Sequence, residues 1–415
     1  MTSGKPVAHP GRWALGLLTL IGVGAALLLR IPPSPGHHGA PPGPELITRG
    51  AYLALVGNCA GCHTAPGGAE LAGGSALPTP FGKVYAGNLT PEPETGLGHW
   101  SADDFWRALH EGRSRDGRRL LPAFPYTSFT QVTREDSDAL FAYLRSRAAV
   151  KQANPPHQLR FPYNTQAAMV LWQWLFFTPG KAGVTAPAAD PALDRGAYLV
   201  NGLGHCAACH APRNTVGAPG NEMTGGDMPA HDWFAPSLHP VAGQGLTEQD
   251  LVDLLRVGRH RLGSASGPMA GVVFRSTQHW TDADLHAASK YLLSLRPEKA
   301  PSPGAAPAMQ ESPSVGQQLY DERCADCHGA QGQGQPGVYS PLAGNPTVLQ
   351  PSVRNLVQVL EHGSFAPATA GNPRPYGMPP QDLSVAETTA LINHLRQTFA
   401  ERAPPVTEVD VLRFR

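Results

Sequence analysis

The six cysteines of this chain constrain its fold more than any other feature, because all of them occur in one five-residue pattern. The pattern Cys-x-x-Cys-His occurs as Cys59-Ala-Gly-Cys62-His63, Cys206-Ala-Ala-Cys209-His210 and Cys324-Ala-Asp-Cys327-His328. These three copies use every cysteine in the sequence, so none is left over to form a separate structural disulfide.

Two thiols three positions apart on a helical turn can both reach the vinyl groups of one haem, while the adjacent histidine reaches the iron. We therefore expect three covalently bound haem c groups. The expected attachment residues are Cys59, Cys62, Cys206, Cys209, Cys324 and Cys327, with His63, His210 and His328 as iron ligands. The alternative is zinc, since two Cys-x-x-Cys pairs can supply four ligands, but pairs separated by 147 and 118 residues fit that poorly.

The chain repeats one plan around the three patterns. Arg49-Gly-Ala-Tyr-Leu53 precedes the first cysteine pair, Arg195-Gly-Ala-Tyr-Leu199 the second and Gly316-Gln-Gln-Leu-Tyr320 the third. Apolar residues at helical spacing predict a short helix in each, with the cysteines at its C-terminal end. Amphipathic segments at 136–145, 282–295 and 385–395 predict a helix that closes each copy.

A further helix is predicted inside each copy, at residues 101–110, 247–257 and 353–361. The glycines that follow these segments, Gly112, Gly258 and Gly363, are typical of helix C-caps. We expect an all-α fold of three consecutive class I cytochrome c-type domains behind an N-terminal membrane segment. The segment and its spacer occupy residues 1–45, and the domains occupy 46–182, 190–297 and 311–400.

The sixth iron ligand should lie downstream of each histidine, and methionine is the usual choice in small electron-transfer cytochromes because it raises the potential. Met269 stands in Gly267-Pro-Met-Ala270, and Met378 stands in Gly377-Met-Pro-Pro380 before the last closing helix. We expect these two to ligate the second and third irons. In the second copy Met223 and Met228 are competitors, although both precede the middle helix.

The first copy departs from this rule, because Phe124 occupies the expected methionine position. Three explanations are open: a substitute ligand, a five-coordinate iron, or a ligand donated by a partner chain. The substitutes within the chain are Met169, His99, His110 and His157. Since a histidine or an open position should lower the potential relative to methionine, haem one is expected to differ from the other two.

The N-terminus predicts export. Lys5 and Arg12 precede an uncharged run at residues 13–29, which Arg30 ends. A 17-residue run is about 26 Å long as a helix, at the lower edge of a membrane span, so an uncleaved anchor and a cleaved signal both remain open. Positive charge before the run would place the rest of the chain on the periplasmic side of the inner membrane, beyond a proline-rich spacer at 31–44.

Charge composition excludes one class of partner. The chain has 32 basic and 32 acidic side chains among 415 residues, which gives a net charge of zero. A nucleic-acid partner is therefore not expected. A chain of zero net charge also suits a permanent subunit better than a soluble carrier that finds its partners by electrostatic steering.

Four segments carry a resemblance to a known family. They are the run Asn88-Leu-Thr-Pro-Glu-Pro-Glu-Thr-Gly96 followed by Trp100, and residues 122–129, 152–164 and 175–180. With them the chain resembles the triheme cytochrome c subunit of membrane-bound periplasmic dehydrogenases, which act on alcohols, gluconate or sugars. Family members commonly have methionine where this chain has Phe124.

The resemblance implies a chain that performs no substrate chemistry itself. It implies electron transfer from a catalytic dehydrogenase subunit, which holds pyrroloquinoline quinone, flavin or molybdenum, to the respiratory chain. The implied acceptor is ubiquinone, or a downstream oxidase.

Two alternatives remain. A cytochrome c subunit of a haem-copper oxidase is also anchored and multihaem, although the loop at 88–100 argues against it. A haem peroxidase would need an acid-base residue beside haem one, for which His99, His110 and Glu111 are available. Each of these also fits as an ordinary surface residue near the middle helix.

Overall fold

The computed structural model describes residues 43–180, 190–220, 222–228, 231–240, 245–297, 314–400 and 404–415. The apolar run at 13–29 lies outside the described residues, and so do the segments between the predicted domains, at 183–189 and 298–310. Among the helices of the described ranges, none is both long enough and apolar enough to cross a membrane.

The described residues form three units of similar plan. The first contains α1 (Pro44–Val56), α2 (Cys59–His63), β1 (Ala76–Thr79), β2 (Gly82–Tyr85), α3 (Ala102–Glu111), α4 (Tyr126–Phe129), α5 (Arg134–Arg145), β3 (Gln158–Leu159) and α6 (Gln166–Phe176).

The second unit contains α7 (Pro191–Ala197), a π-helix (Tyr198–Leu203), α8 (Ala207–His210), β4 (Gly226–Met228), β5 (Trp233–Ala235), α9 (Glu248–Val257), β6 (Arg259–His260), β7 (Gly263–Ser264), α10 (Gly267–Arg275), a 3₁₀ turn (Thr277–His279) and α11 (Asp282–Ser294). The third contains α12 (Val315–Arg323), α13 (Ala325–His328), α14 (Pro346–Leu349), α15 (Arg354–His362), β8 (Ser364–Phe365), β9 (Gly377–Met378), α16 (Val385–Phe399) and α17 (Glu408–Leu412).

Local chemistry sets the ends of the middle helices, which form where the sequence predicts them. The N-cap side chains of Ser101 and Thr247 accept from the backbone three residues on, in reciprocal capping boxes that satisfy exposed N–H groups. Gly112 and Gly258 end α3 and α9 in the left-handed conformation, with φ of 61° and 82°. Gly363 also has a positive φ, of 74°, but its ψ is extended.

The first helix of each unit crosses the closing helix of that unit at a glycine. A Cβ on these glycines would stand 1.9, 2.0 or 2.2 Å from a carbonyl oxygen of the facing helix, closer than any side chain allows. The pairs are Gly50 with Ala139, Gly196 with Ala287 and Gly316 with Ala390. The three crossings are therefore equivalent, and they place the three cysteine patterns in equivalent positions.

The second unit has one more residue than the first between this glycine and its first cysteine. Nine positions separate Gly50 from Cys59, and ten separate Gly196 from Cys206. The π-helix at Tyr198–Leu203 lies within this interval. A π-turn accommodates one residue more than an α-turn, so it absorbs the insertion without moving the crossing.

The first and second units share one hydrophobic core, whereas the third has its own. Leu53 and Leu140 of the first unit belong to the same buried cluster as Leu199 and Leu285 of the second. The third unit buries a separate cluster around α12 and α16, which includes Ile392 at 0% exposure.

Hydrogen bonds to two aspartates join the first two units reciprocally. Arg49 pairs with Asp136 of its own unit, and Tyr198 of the second unit donates to the same carboxylate at 2.5 Å. The same contact occurs with the units exchanged. Arg195 pairs with Asp284 of the second unit, and Tyr52 of the first unit donates to that carboxylate at 2.6 Å. Such an exchange of equivalent contacts is the pattern of a two-fold symmetric interface.

The third unit lacks the residues for this contact and packs differently. Val315 and Gln318 occupy the positions of the arginine and the tyrosine, counted from Gly316. The third unit instead contacts β5 and the preceding turn of the second. Arg354 pairs with Asp232, and the Asn355 side chain exchanges two 2.8 Å hydrogen bonds with the Phe234 backbone.

Across the described ranges the fold is mostly helical, but four small antiparallel sheets accompany the helices. One has three strands in the order β1-β2-β3, and the others are the pairs β4-β5, β6-β7 and β8-β9. The all-α expectation omitted them because strands of two to four residues are too short to show a period-two pattern. Three of these sheets are pairs of strands, which change the direction of the chain between helices and do not build a hydrophobic core of their own.

Candidate haem-binding sites

The three histidines of the repeated pattern make the same hydrogen bond. In each, Nδ1 lies 2.6–2.8 Å from a backbone carbonyl oxygen. The pairs are His63 with Gly87 (2.6 Å), His210 with Pro236 (2.7 Å) and His328 with Ser340 (2.8 Å). A carbonyl only accepts, so Nδ1 carries the proton and the Nε2 lone pair is free. Metal-ligating histidines are held in this way.

Burial keeps these imidazoles neutral. Desolvation lowers the pKa of His63, His210 and His328, and in each the hydrogen bond to the carbonyl opposes it only in part. A neutral imidazole with a free Nε2 is the form that binds haem iron, so the residues present fit the group that the sequence implies.

The six cysteines are free thiols in the structure. Burial raises the pKa of Cys59 and Cys206 to about 12, and that of Cys324 to about 11. Within the described ranges, no group of three or more histidine, cysteine or acidic side chains could hold a metal ion, so the zinc alternative finds no ligand set there.

The first two cysteine patterns are placed differently from the expectation. They do not continue the preceding helix but form separate helical turns, α2 and α8. The residues before them, Asn58 and His205, have left-handed φ of 48° and 40°, which breaks the helix. In the third unit the break falls at Cys324, without a positive φ.

The attachment sites of the first and second units are neighbours. Burial raises the pKa of Cys209. The charge of Arg213 opposes this increase, and the nearby Cys62 thiol of the first unit adds to it. Burial also raises the pKa of Cys62, while the charge of Arg275 on α10 lowers it. Helix α10 packs against α2. The second cysteines of the two patterns therefore lie near each other.

A hydrogen bond links the second and third sites. The carbonyl of Ser340 accepts from His328 Nδ1, and the hydroxyl oxygen of Ser340 lies 3.2 Å from that of Ser264. Ser264 is on β7, five residues before Met269. The second unit thus lies between the other two and contacts the haem-binding segment of each.

Both predicted methionine ligands lie on short elements that follow the middle helix of their own unit. Met269 is half-buried in the first turn of α10, and Met378 is half-buried on β9, against the core of the third unit. Their ligand role stays a prediction. Of the competitors, Met223 is 6% exposed in the shared core, and Met228 pairs with Trp233 in the β4-β5 hairpin.

Of the three histidines proposed for haem one, two are hydrogen-bonded or exposed, whereas the third, His110, has a buried Nδ1 without a hydrogen-bond partner among the described residues. The Tyr85 N–H donates to His157 Nδ1 at 3.2 Å, so a neutral His157 carries its proton on Nε2 and has no free lone pair. The His110 ring stacks on Trp106 with centroids 4.5 Å apart. His99 is exposed on the loop before α3.

Met169, the remaining substitute, is 5% exposed on α6. It shares a helix face with Gln166 and Gln173. Gln166 accepts from the Arg119 N–H at 2.8 Å, and Gln173 donates to the Gly112 carbonyl at 3.0 Å. This face, including Met169, therefore packs against the hairpin at residues 112–119.

One buried residue beside the sites was missed by the sequence analysis. His205 directly precedes Cys206, and its Nε2 lies 3.3 Å from the Gly57 carbonyl of the first unit. Its ring meets that of Phe129 edge-on, with centroids 5.3 Å apart. The only signal available was its position next to the cysteine. It joins the two attachment segments directly.

Three helix-bracketed units, each with a Cys-x-x-Cys-His turn and a pre-oriented neutral histidine, define a c-type cytochrome. The chain matches the family described as Cytochrome c at residues 47–148 and 314–399. It is 37% identical over 393 residues to the cytochrome c subunit of alcohol dehydrogenase (quinone) from Komagataeibacter europaeus, covering 89% of this chain and 84% of that protein.

Two further relatives point the same way. The gluconate 2-dehydrogenase cytochrome c subunit of Pantoea cypripedii is 34% identical, with 89% of each chain covered. The fructose dehydrogenase cytochrome subunit of Gluconobacter japonicus is 34% identical, with 76% of this chain and 71% of that one covered. This chain therefore belongs to the family of dehydrogenase cytochrome c subunits.

The family confirms several expectations. The resemblance is confirmed, haem c is the covalent cofactor, and the chain is an electron-transfer subunit rather than a catalytic one. The comparisons do not favour the oxidase or peroxidase alternatives.

Proposed function

We propose that this chain carries three haem c groups and relays electrons from the catalytic subunit of a periplasmic dehydrogenase to the respiratory chain, with ubiquinone as acceptor. The observation that carries the proposal is the threefold repetition of one constellation, a Cys-x-x-Cys turn and a histidine whose Nδ1 is bound to a carbonyl. Each unit, at 46–182, 190–297 and 311–400, is one cytochrome c domain.

The residues of the chain bind and orient each haem, and haem supplies one-electron redox chemistry when bound. In each unit the cysteine pair would hold the haem through two thioethers, and the histidine Nε2 would ligate the iron. The Nδ1 hydrogen bond fixes the ring orientation and raises the basicity of the ligand. The close approach of Cys62 and Cys209 supports electron transfer between the first two units, and the Ser264–Ser340 contact supports transfer to the third.

The proposed location is the periplasmic face of the inner membrane, with residues 1–45 as anchor or signal and spacer. An exposed apolar stripe on α6 supports membrane contact: Leu171, Trp174 and Leu175 are 55%, 78% and 53% exposed. They lie at helical spacing on one face. On the opposite side Trp172 donates to the Val216 carbonyl of the second unit at 2.9 Å, which ties α6 to the rest of the chain.

Haem counting tests the cofactor part of the proposal. The chain is expressed with haem-attachment machinery, and the haem-to-chain ratio is measured by pyridine haemochrome and intact mass. Three haems are expected. Replacing both cysteines of one pattern by serine, in each unit in turn, should remove one haem each time. A wild-type ratio of two would contradict the three-domain proposal.

Purification from membranes tests the partner and the acceptor. The chain is solubilised in mild detergent, and mass spectrometry identifies any large subunit that accompanies it. A flavin, quinone-cofactor or molybdenum subunit is expected, together with substrate-dependent reduction of a ubiquinone analogue. Co-purification with haem-copper oxidase subunits would contradict the proposal.

A further inference from the structure

We propose that the iron of haem one has an open position on the Phe124 side and binds a small neutral ligand such as carbon monoxide there. This inference rests on the proposed haem in the first unit. It concerns the one unit whose sequence lacks a methionine in the expected place.

Backbone register places Phe124 at the position equivalent to Met269, the predicted ligand of the second iron. In the first unit the Leu120 N–H donates to the Gly112 carbonyl at 2.8 Å, and in the second Ala265 makes the same bond to Gly258, also at 2.8 Å. Each glycine ends the middle helix of its unit in the left-handed conformation. Phe124 lies four residues after Leu120, and Met269 lies four residues after Ala265.

A phenyl ring in this position cannot ligate iron, since it offers no lone pair. Neighbouring aromatic rings also hold it in place. The ring centroid of Phe124 is 5.3 Å from that of Phe129 and 6.5 Å from that of Tyr126. Tyr126 is fully buried and Phe129 is 6% exposed, so this wall of the site is closely packed and aromatic, with the buried Tyr126 hydroxyl as its one polar side-chain atom.

Three of the four other candidate ligands of the first unit are engaged elsewhere or exposed. His157 has no free lone pair, because Nδ1 accepts from Tyr85 and Nε2 carries the proton. Met169 packs against the hairpin at 112–119, and His99 is exposed on a different loop. The ring of His110 stacks on Trp106, but its buried Nδ1 has no hydrogen-bond partner within the described ranges. His110 is therefore the one candidate of the four that competes with an open iron in the test below.

The aromatic neighbourhood selects the class of ligand. Desolvating an anion against Phe124 and Phe129 would be costly, whereas a neutral diatomic molecule loses little. Ferrous haem with a free axial position binds carbon monoxide, and methionine-ligated haem in a closed domain does not at comparable concentration. Carbon monoxide is therefore the probe.

The test uses the haem-loaded full chain, alone and with its co-purified dehydrogenase subunit. After dithionite reduction, carbon monoxide is titrated and followed in the Soret region, with haem counted on the same sample. One carbon monoxide per chain is expected, together with a high-spin ferric signal from one haem by electron paramagnetic resonance. A chain that binds none, with every haem low-spin, would overturn the proposal.

Two matched variants locate the site. Phe124→Met should abolish carbon monoxide binding and convert the high-spin signal to that of methionine-ligated haem. Met269→Phe, at the equivalent position of the second unit, should raise the stoichiometry to two. Binding that persists unchanged in Phe124→Met would refute the assignment, and so would binding that is lost when the dehydrogenase subunit is present. Haem counting and partner identification test the proposed function separately, so the two failures are distinguishable.

Discussion

In each unit two helices pack closely because the glycine at their crossing has no Cβ atom. Gly50 brings α1 so close to α5 that a Cβ would stand 1.9 Å from the Ala139 carbonyl oxygen. The equivalent glycines of the other two units meet the same obstacle. This position is therefore fixed by packing rather than by backbone conformation.

Gly50→Ala should destabilise the protein by about 2–3 kcal/mol, because the helices must separate to accommodate the methyl group. The free energy of unfolding of the haem-loaded chain, from denaturant titration, measures this. Gly87→Ala is the matched control, since a Cβ there meets nothing within 4 Å. Equal loss in both variants would show that the crossing is not the cause.

Met269→His should lower the potential of one haem by an amount on the order of 0.1 V, because imidazole stabilises the ferric state more than a thioether does. Potentiometric titration with spectral deconvolution measures the three steps. Met223→Leu, a volume-conserving change in the shared core, should leave all three potentials in place. A shift in the control instead would identify Met223 as the ligand.

At the scale of elements, the tyrosines of the repeated Arg-Gly-Ala-Tyr-Leu segments decide how two units pair. Tyr52 and Tyr198 each reach across to an aspartate on the closing helix of the other unit. The third copy of the segment has Gln318 at this position and cannot make the same contact. The third unit lacks both the arginine and the tyrosine of the contact, which Val315 and Gln318 replace, and it does not pair in this way.

Tyr52→Phe should cost about 1–2 kcal/mol, because it removes a 2.6 Å hydrogen bond to the Asp284 carboxylate and keeps the ring. Tyr198→Phe should cost a similar amount. Thermal unfolding monitored by circular dichroism measures both changes. Tyr376→Phe, at a tyrosine 65% exposed, should have no effect. A comparable loss there would attribute the change to something other than the unit interface.

Acid should weaken the same interface. Burial acts to raise the pKa of Asp284, but hydrogen bonds from Arg195 and Tyr52 outweigh it and hold the pKa below its ordinary value. A depressed carboxyl pKa contributes stability that is complete above the unfolded value of about 3.9 and is lost as the pH falls through the folded pKa. Asp284→Asn should flatten the acid limb of the stability profile measured between neutral pH and pH 3 or so, with a lower plateau at neutral pH. An unchanged acid limb would contradict this assignment.

For the whole molecule, the second unit is the centre of the assembly. It shares a core with the first unit and contacts the third through Asp232, Phe234 and Ser264. The third unit, with its own core, can therefore separate without exposing the core of the other two.

Arg354→Ala should loosen the third unit. Arg354 pairs with Asp232 of the second unit and lies 4.3 Å from the Phe414 ring centroid, and its side chain is only 14% exposed. We expect calorimetric unfolding to split into two transitions, of which the lower one belongs to the third unit. Arg374→Ala, at an exposed arginine of the same unit, should leave the profile as in the wild type. A single unshifted transition in Arg354→Ala would contradict the expectation.

The sequence by itself determined the three Cys-x-x-Cys-His turns, the middle and closing helices, and the departure at Phe124. These depend on neighbours within a few positions: a Cys-x-x-Cys-His spacing, a capping box such as Ser101 with Asp104, or a glycine after a helix. Only the tertiary structure decided that units one and two pair through Tyr52 and Tyr198 while the third packs separately. Such contacts join residues up to 232 positions apart, and no local pattern encodes which distant surface a side chain will meet.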